Sequence, residues 1–182
     1  STRYLKSFAS DGFQVGGDGI GNAENQSYVS WNWKAGGSAS SNSDGSISNS
    51  LSANSTAGFS ILTYTGTGSV GTLGHGLSSA PKMIIIKYRN ATADWQVYHE
   101  SIGNAKYLEL NTTDAETGST ARFNSTSPTS SVFTVGTTSL VNQSSDNFVA
   151  YCFAEVKGYS KFSSYTGNGN ADGTFVYTGF KP

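Results

Sequence analysis

The chain has 182 residues, of which 13% are charged, with a net charge of −1 and a single cysteine, Cys152. That length supports a packed core without metal or disulfide staples, and the composition offers neither a basic stripe for nucleic acid or an anionic membrane nor a second thiol for an intramolecular disulfide. Twenty-two glycines, 13% aromatics and an abundance of Ser, Thr and Asn are the composition of an all-β protein with many turns.

In chain order, Phe8 to Val15 and Tyr28 to Trp33 read as two strands joined by the glycine-rich loop Gly16 to Gly21. In the second, Val29, Trp31 and Trp33 alternate with Tyr28, Ser30 and Asn32, the period of a strand with one apolar face. Residues 35–57 are rich in Gly, Ser and Asn, and read as a linker with one short strand, laid over the body by Ile47 and Leu51; disorder is the competing reading for 38–57. Phe59 to Thr65 alternates as a strand, Gly66 to Gly76 is a glycine-punctuated loop, and Met83 to Tyr88 is a continuous apolar run suited to a sheet covered on both faces. Trp95 to His99 and Tyr107 to Leu110 complete a meander with it. Thr112 to Arg122 has room for one helical turn but reads by default as a loop, given Gly118 and its Thr residues, and Val132 to Val135 with Phe148 to Ala154 read as a closing strand pair.

The chain also repeats itself. Phe13 and Phe133, Val15 and Val135, Gly16 and Gly136, Asn22 and Asn142, and Val29 and Val149 are each 120 positions apart. The run Tyr64-Thr65-Gly66-Thr67-Gly68 returns 101 positions later as Tyr165-Thr166-Gly167-Asn168-Gly169, and Gly58-Phe59-Ser60 returns as Gly158-Tyr159-Ser160. The expected organisation is a single β-sandwich domain holding the tail of one repeat (1–34), the linker (35–57), a full repeat (58–157) and the head of another (158–182). About a dozen short strands at turn spacing predict an all-β, two-sheet antiparallel sandwich of jelly-roll type, with a prism or β-solenoid as the alternative.

Candidate chemistry is sparse. Asp114 with Glu116 lies in a polar loop, and Glu109 is expected on the solvent side of its strand, so no carboxylate pair faces a cleft. Tyr159, Lys161 and Tyr165 match the spacing of a lyase strand, but Gln96 and His99 are one residue too far apart for the companion group, and Arg89 and Arg122 fall in loops. Asn168 to Gly173 imitates the start of a calcium loop, yet its twelfth position is Gly179 where a bidentate carboxylate is needed, so it reads as a turn. His75 and His99 lack partners at metal spacing, and no cofactor is called for. Cys152 is expected as a small core residue. The sequons at Asn25, Asn54, Asn90, Asn111, Asn124 and Asn142 are what so Asn/Ser/Thr-rich a chain produces by chance. No run nears the roughly 18 apolar residues of a membrane span, and no signal peptide opens at Ser1. Trp95 and Tyr98, after a polar turn, are the candidates for a carbohydrate-stacking platform, while Trp31 and Trp33 are expected in the core.

The segments G-F-S-I-L-T-Y-T-G-T-G from Gly58, the run from Gly74 to Lys87, W-Q-V-Y-H at Trp95, S-W-N-W-K-A-G-G at Ser30 and F-V-A-Y-C-F-A-E-V-K-G-Y-S-K-F at Phe148 together resemble a repeated domain of tailed-phage and marine-virus proteins. Those are tail-fibre-like or virion structural proteins whose domain is lectin-like, of the concanavalin A type. The resemblance spans nearly the whole chain. It implies a non-enzymatic structural or adhesion module on a virion surface or outside the cell, with other virion or assembly subunits as partners and cell-surface glycan as a ligand. It transfers no catalytic or ligand residues. The alternatives are a filament subunit that assembles by strand addition into homo-oligomers, and a jelly-roll polysaccharide lyase or glycosidase.

Overall fold

The computed structural model describes residues 4–17 and 19–182. Asp18, in the expected Gly16 to Gly21 loop, lies outside them. The chain divides into two compact units, Ser1–Trp33 and Lys34–Pro182.

In the first unit, β1 (Leu5–Phe8) and β2 (Phe13–Val15) form a hairpin with Phe8 opposite Phe13. The expected Phe8 to Val15 strand is therefore interrupted: Ser10, Asp11 and Gly12 are turn formers, and Ala9 N–H bonds Gly12 O at 2.8 Å. A single helical turn, α1 (Gly19–Asn22), follows. The expected strand Tyr28 to Trp33 lies outside any strand. Its alternation is that of a strand, but a strand needs an edge to pair with, and here the Tyr28 hydroxyl instead donates to Gly19 O at 3.3 Å and accepts the Ala23 N–H at 2.9 Å. Trp31 is 78% exposed, not a core residue, and Trp33 is exposed as well.

The second unit contains β3 (Ser40–Asn42), β4 (Asn49–Asn54), β5 (Phe59–Thr65), β6 (Gly71–Gly74), β7 (Met83–Tyr88), β8 (Gln96–His99), β9 (Lys106–Glu109), β10 (Thr117–Gly118), the helical turn α2 (Thr120–Phe123), β11 (Val132–Val135), the helical turn α3 (Ser139–Asn142) and β12 (Asn147–Phe153). Among the described residues, eight of these strands form one antiparallel sheet in the order β10-β9-β8-β7-β12-β5-β4-β3, and β6 and β11 form a second, two-stranded sheet. The fold is an all-β antiparallel sandwich of unequal sheets.

Strand β12 sits between β5 and β7 and, like β7, is apolar on both sides over most of its length. Phe148, Ala150 and Cys152 point into the core, opposite Tyr64, Leu62 and Ser60 of β5 and Tyr88, Ile86 and Ile84 of β7. The opposing layer is Leu73 of β6, Phe133 and Val135 of β11, Phe123 of α2 and Val141 of α3, all buried in one cluster with the large sheet. Phe148 is stacked between Tyr64 and Tyr88, with centroids 5.1 and 5.0 Å away and ring planes 17° apart on each side. Burying such a ring contributes about 2–3 kcal/mol through area alone, and the stacking adds to it.

Three expectations change. Residues 35–57 are not a linker and not disordered: they supply β3 and β4, with Leu51 opposite Leu62 in the sheet and Ile47 bridged to Leu73. Their polarity misleads because Ser50 faces outward and Ser52 and Asn49 are bonded to backbone carbonyls. The Gly66 to Gly76 loop contains β6. Finally, β11 and β12 do not pair with each other but belong to different sheets, joined through α3. The meander β7-β8-β9 is as expected.

Candidate functional site

The face of the large sheet that points away from the core carries the odd-numbered residues of β7, β8 and β12. Ile85 and Lys87, Val97, and Val149 and Tyr151 lie there, with Ile61 and Thr63 of β5. Most are half-buried, so this face is apolar without being sealed. At its centre the rings of Trp95 and Tyr151 stack at 6.3 Å and 27°. Lys87 Nζ lies 5.8 Å from the centroid of the Trp95 ring and bonds Ala93 O.

Trp95 is held by the turn around it. Its N–H donates to Asn111 Oδ1 at 2.8 Å, Asn111 Nδ2 donates to Asp94 Oδ1 at 2.7 Å, and Leu110 N–H bonds Trp95 O at 3.0 Å. Tyr98 is placed differently from expectation. It is 4% exposed on the opposite side of β8, packed edge-on against Phe123 at 5.6 Å, and takes no part in a platform. Position 95 and position 98 have opposite parity in a strand, which puts them on opposite faces. The partner of Trp95 is Tyr151, a residue whose alternation was legible but whose neighbour across the sheet was not.

Beside this stack lies an open polar cleft of about 310 Å³, lined by Ser50, Thr63, Thr65, Asn49, Asn147 and Arg89 among others. Arg89 is exposed and makes no ion pair among the described residues. It is near enough to Tyr151 to favour the phenolate, while burial of Tyr151 outweighs this and raises its pKa. Asn49 Nδ2 bonds Gly74 O at 3.1 Å, and its buried Oδ1 has no partner among the described residues. The two rings, Lys87 and the hydroxyls of Ser50 and Thr63 thus share the outer face of the large sheet, with Arg89 lining the cleft, whereas Asn49 is turned inward to Gly74.

The remaining candidates are accounted for locally. Glu109 is not on the solvent side. It accepts from Gln96 Nε2 at 3.2 Å and lies 3.9 Å from Arg122, whose guanidinium stacks on Tyr107 at 4.3 Å. Glu116 pairs with Lys106. Gln96 and His99 of the lyase-like set lie on opposite faces of β8, and Lys161 is paired with Glu155 at 2.9 Å, so that set is not assembled. In the calcium-like loop Asn168 Oδ1 and Asn170 Oδ1 accept the N–H groups of Asn170 and Asp172 at 3.0 and 3.1 Å, which makes it a turn closed on itself.

Both histidines are lodged in backbone contacts. His75 bridges Thr129 O through Nε2 at 3.1 Å and accepts the Leu77 N–H on Nδ1 at 3.1 Å. Burial lowers its pKa, opposed by Thr129 and Asp44. Among the described residues no group of His, Cys, Asp and Glu could hold a metal, and no helix is long and apolar enough to cross a membrane. Cys152 is buried, and burial pushes its thiol up to about 12. The sequon residue Asn142 is buried.

No curated protein and no solved structure matches the chain. The family model described as "Domain of unknown function (DUF7483)" matches residues 1–182, and the chain belongs to that family.

Proposed function

We propose that this chain is a non-enzymatic structural and adhesion module of a virion surface or extracellular appendage, and that it takes host glycans on the outer face of its large sheet. The observation that carries this reading is the Trp95–Tyr151 stack beside the Arg89 cleft. Sugar rings present flat C–H faces that pack on aromatic rings, and their hydroxyls suit Ser, Thr and Asn side chains. Lys87 and Arg89 on the same side favour a carboxylate-bearing sugar. The virion setting rests on the resemblance of the repeated segments to tail-fibre-like and virion structural proteins, and on the repetition itself, the usual way of building extended surfaces.

The test is twofold. Antibody against the chain should decorate the surface or appendage of particles purified from the producing host. The purified chain should retain acidic oligosaccharides without releasing shorter products. Unlabelled particles, or depolymerised polysaccharide, would count against the reading.

A further inference from the structure

The chain carries a copy of each half of a join that the full repeat makes complete. In that repeat Asn142, at the end of α3, latches the loop that follows β5. Its Nδ2 donates to Gly136 O at 2.9 Å in its own half and to Ser69 O at 2.6 Å across the join; its Oδ1 accepts the Thr67 N–H at 2.8 Å and its backbone O accepts the Gly68 N–H at 2.8 Å. Next to the latch, β12 pairs with β5, with Phe148 opposite Tyr64, Ala150 opposite Leu62 and Tyr151 opposite Ile61.

Residues 13–33 reproduce one half of this device. Strand β2 stands 120 positions before the end of β11, α1 stands 120 positions before α3, and Asn22 Nδ2 donates to Gly16 O at 3.1 Å just as Asn142 does to Gly136. Asn22 is nevertheless exposed, and its Oδ1 accepts nothing among the described residues, whereas Asn142 is buried. Residues 158–169 reproduce the other half. Gly158 has φ +79° where Gly58 has +67°, and Gly169 has φ +66° where Gly68 has +73°. In this loop the N–H groups of Asn168 and Gly169 and the carbonyl of Asn170, counterparts of the groups Asn142 binds, carry no hydrogen bond among the described residues.

We propose that residues 22–32 of one chain dock on residues 160–170 of a second copy, re-creating the β12–β5 join between molecules. Asn22 takes the place of Asn142 on the Gly167 to Asn170 loop, and residues 27–32 add as an antiparallel strand. The inherited register sets Tyr28 opposite Tyr165, Ser30 opposite Ser163 and Trp31 opposite Phe162. Tyr28, Trp31 and Tyr165 are 49%, 78% and 70% exposed in the single chain. Cross-strand aromatic pairs of this kind stabilise antiparallel sheets. Each chain carries both halves of the join, so a second copy offers each half its complement. The contact joins different surfaces of the two molecules, so it propagates head to tail into filaments or closed rings. It is independent of the glycan-binding reading, because it uses neither Trp95 nor Arg89.

The experiment uses the full chain with single cysteines placed in register, Ser30→Cys in one preparation and Ser163→Cys in another. Mixed and oxidised, the two should give a disulfide-linked heterodimer, since paired strands hold Cα atoms at about 4.5–5.5 Å, within disulfide range. Buried Cys152 does not compete. In parallel, Asn22→Ala should weaken self-association at least tenfold in sedimentation across a concentration series, with glycan retention unchanged. A third preparation carries both Ser30→Cys and Ser163→Cys, and a cross-link that forms only within its single molecules would overturn the proposal in favour of closure within one chain. Absence of any cross-link, a concentration-independent monomer, or association indifferent to Asn22→Ala would overturn it outright.

Discussion

The amide of the buried Asn142 reaches across 75 residues of sequence to Thr67, its Oδ1 accepting the Thr67 N–H at 2.8 Å. The same side chain holds Ser69 O and Gly136 O, so it joins α3, the end of β11 and the loop after β5. Gly66 and Gly68 make the approach possible: a Cβ on Gly66 would meet Gln143 O at 2.2 Å, and Gly68 has φ +73°. Asn142→Ala leaves Gly136 O buried without its partner and removes the half-buried bonds to Thr67 N–H and Ser69 O, and should cost about 2 kcal/mol. Urea denaturation measures it, and a loss well under 1 kcal/mol would show that the latch is not structural.

Phe148 tests the core in the same way. Its ring lies between Tyr64 and Tyr88 in the middle strand, and neighbours from three strands and the second sheet cannot all relax into the space it leaves. Phe148→Ala should destabilise by about 4 kcal/mol, whereas Tyr28→Ala at the copied position should leave the melting of the second unit unchanged. Equal losses from the two would contradict the assignment of complete and open copies.

How much of this was legible in the sequence depends on what each residue needed. The alternation of Phe148, Ala150 and Cys152 against Val149 and Tyr151 marked a central strand and the β-branched run at Ile84 to Ile86 its neighbour, but the expected cover on both faces is not met, since Val149, Tyr151 and Ile85 are only half-buried on the outer face. Both signals are local. The strands β3 and β4 were not legible, because Ser52 and Asn49 are buried by hydrogen bonds to Gly37 O and Gly74 O and not by apolarity. Tyr28 to Trp33 shows the converse, a strand pattern that lies in no strand of the single chain. At the site, Trp95 was legible from the polar turn before it. Tyr151 was not, since its nearness to Trp95 depends on the order β8-β7-β12, a long-range fact, and nor was the nearness of Arg89 to Tyr151.

Cys152 should be inert in the native state. Its thiol is buried beside Ser60 and burial pushes its pKa up to about 12, so almost none is thiolate at pH 8. A chromogenic disulfide reagent should titrate no thiol in buffer and one in concentrated urea. Rapid native labelling would contradict the packing of β12.

Stability should fall on mild acidification. The folded-state pKa of His75 is lowered by burial from the ordinary 6.5, so the unfolded chain takes up the proton first. The stabilisation is complete above about pH 6.5 and is lost as pH falls through the folded-state value. His99 is shifted in the same direction by burial, with Glu100 opposing. The denaturation midpoint should therefore drop between pH 7.5 and 5.5, and should still drop in His99→Asn. A flat profile over that range would place His75 in contact with water.

The most direct measurement is retention of the wild-type chain, Trp95→Ala and Arg89→Ala on an immobilised panel of neutral and acidic oligosaccharides. Arg89 is exposed, so its removal should leave the melting temperature unchanged while weakening retention on acidic glycans at least tenfold. Trp95→Ala should weaken retention on neutral and acidic glycans alike. Wild-type binding that survives both substitutions, or a wild-type chain that no glycan retains, would contradict the assignment of the outer face as an adhesion surface.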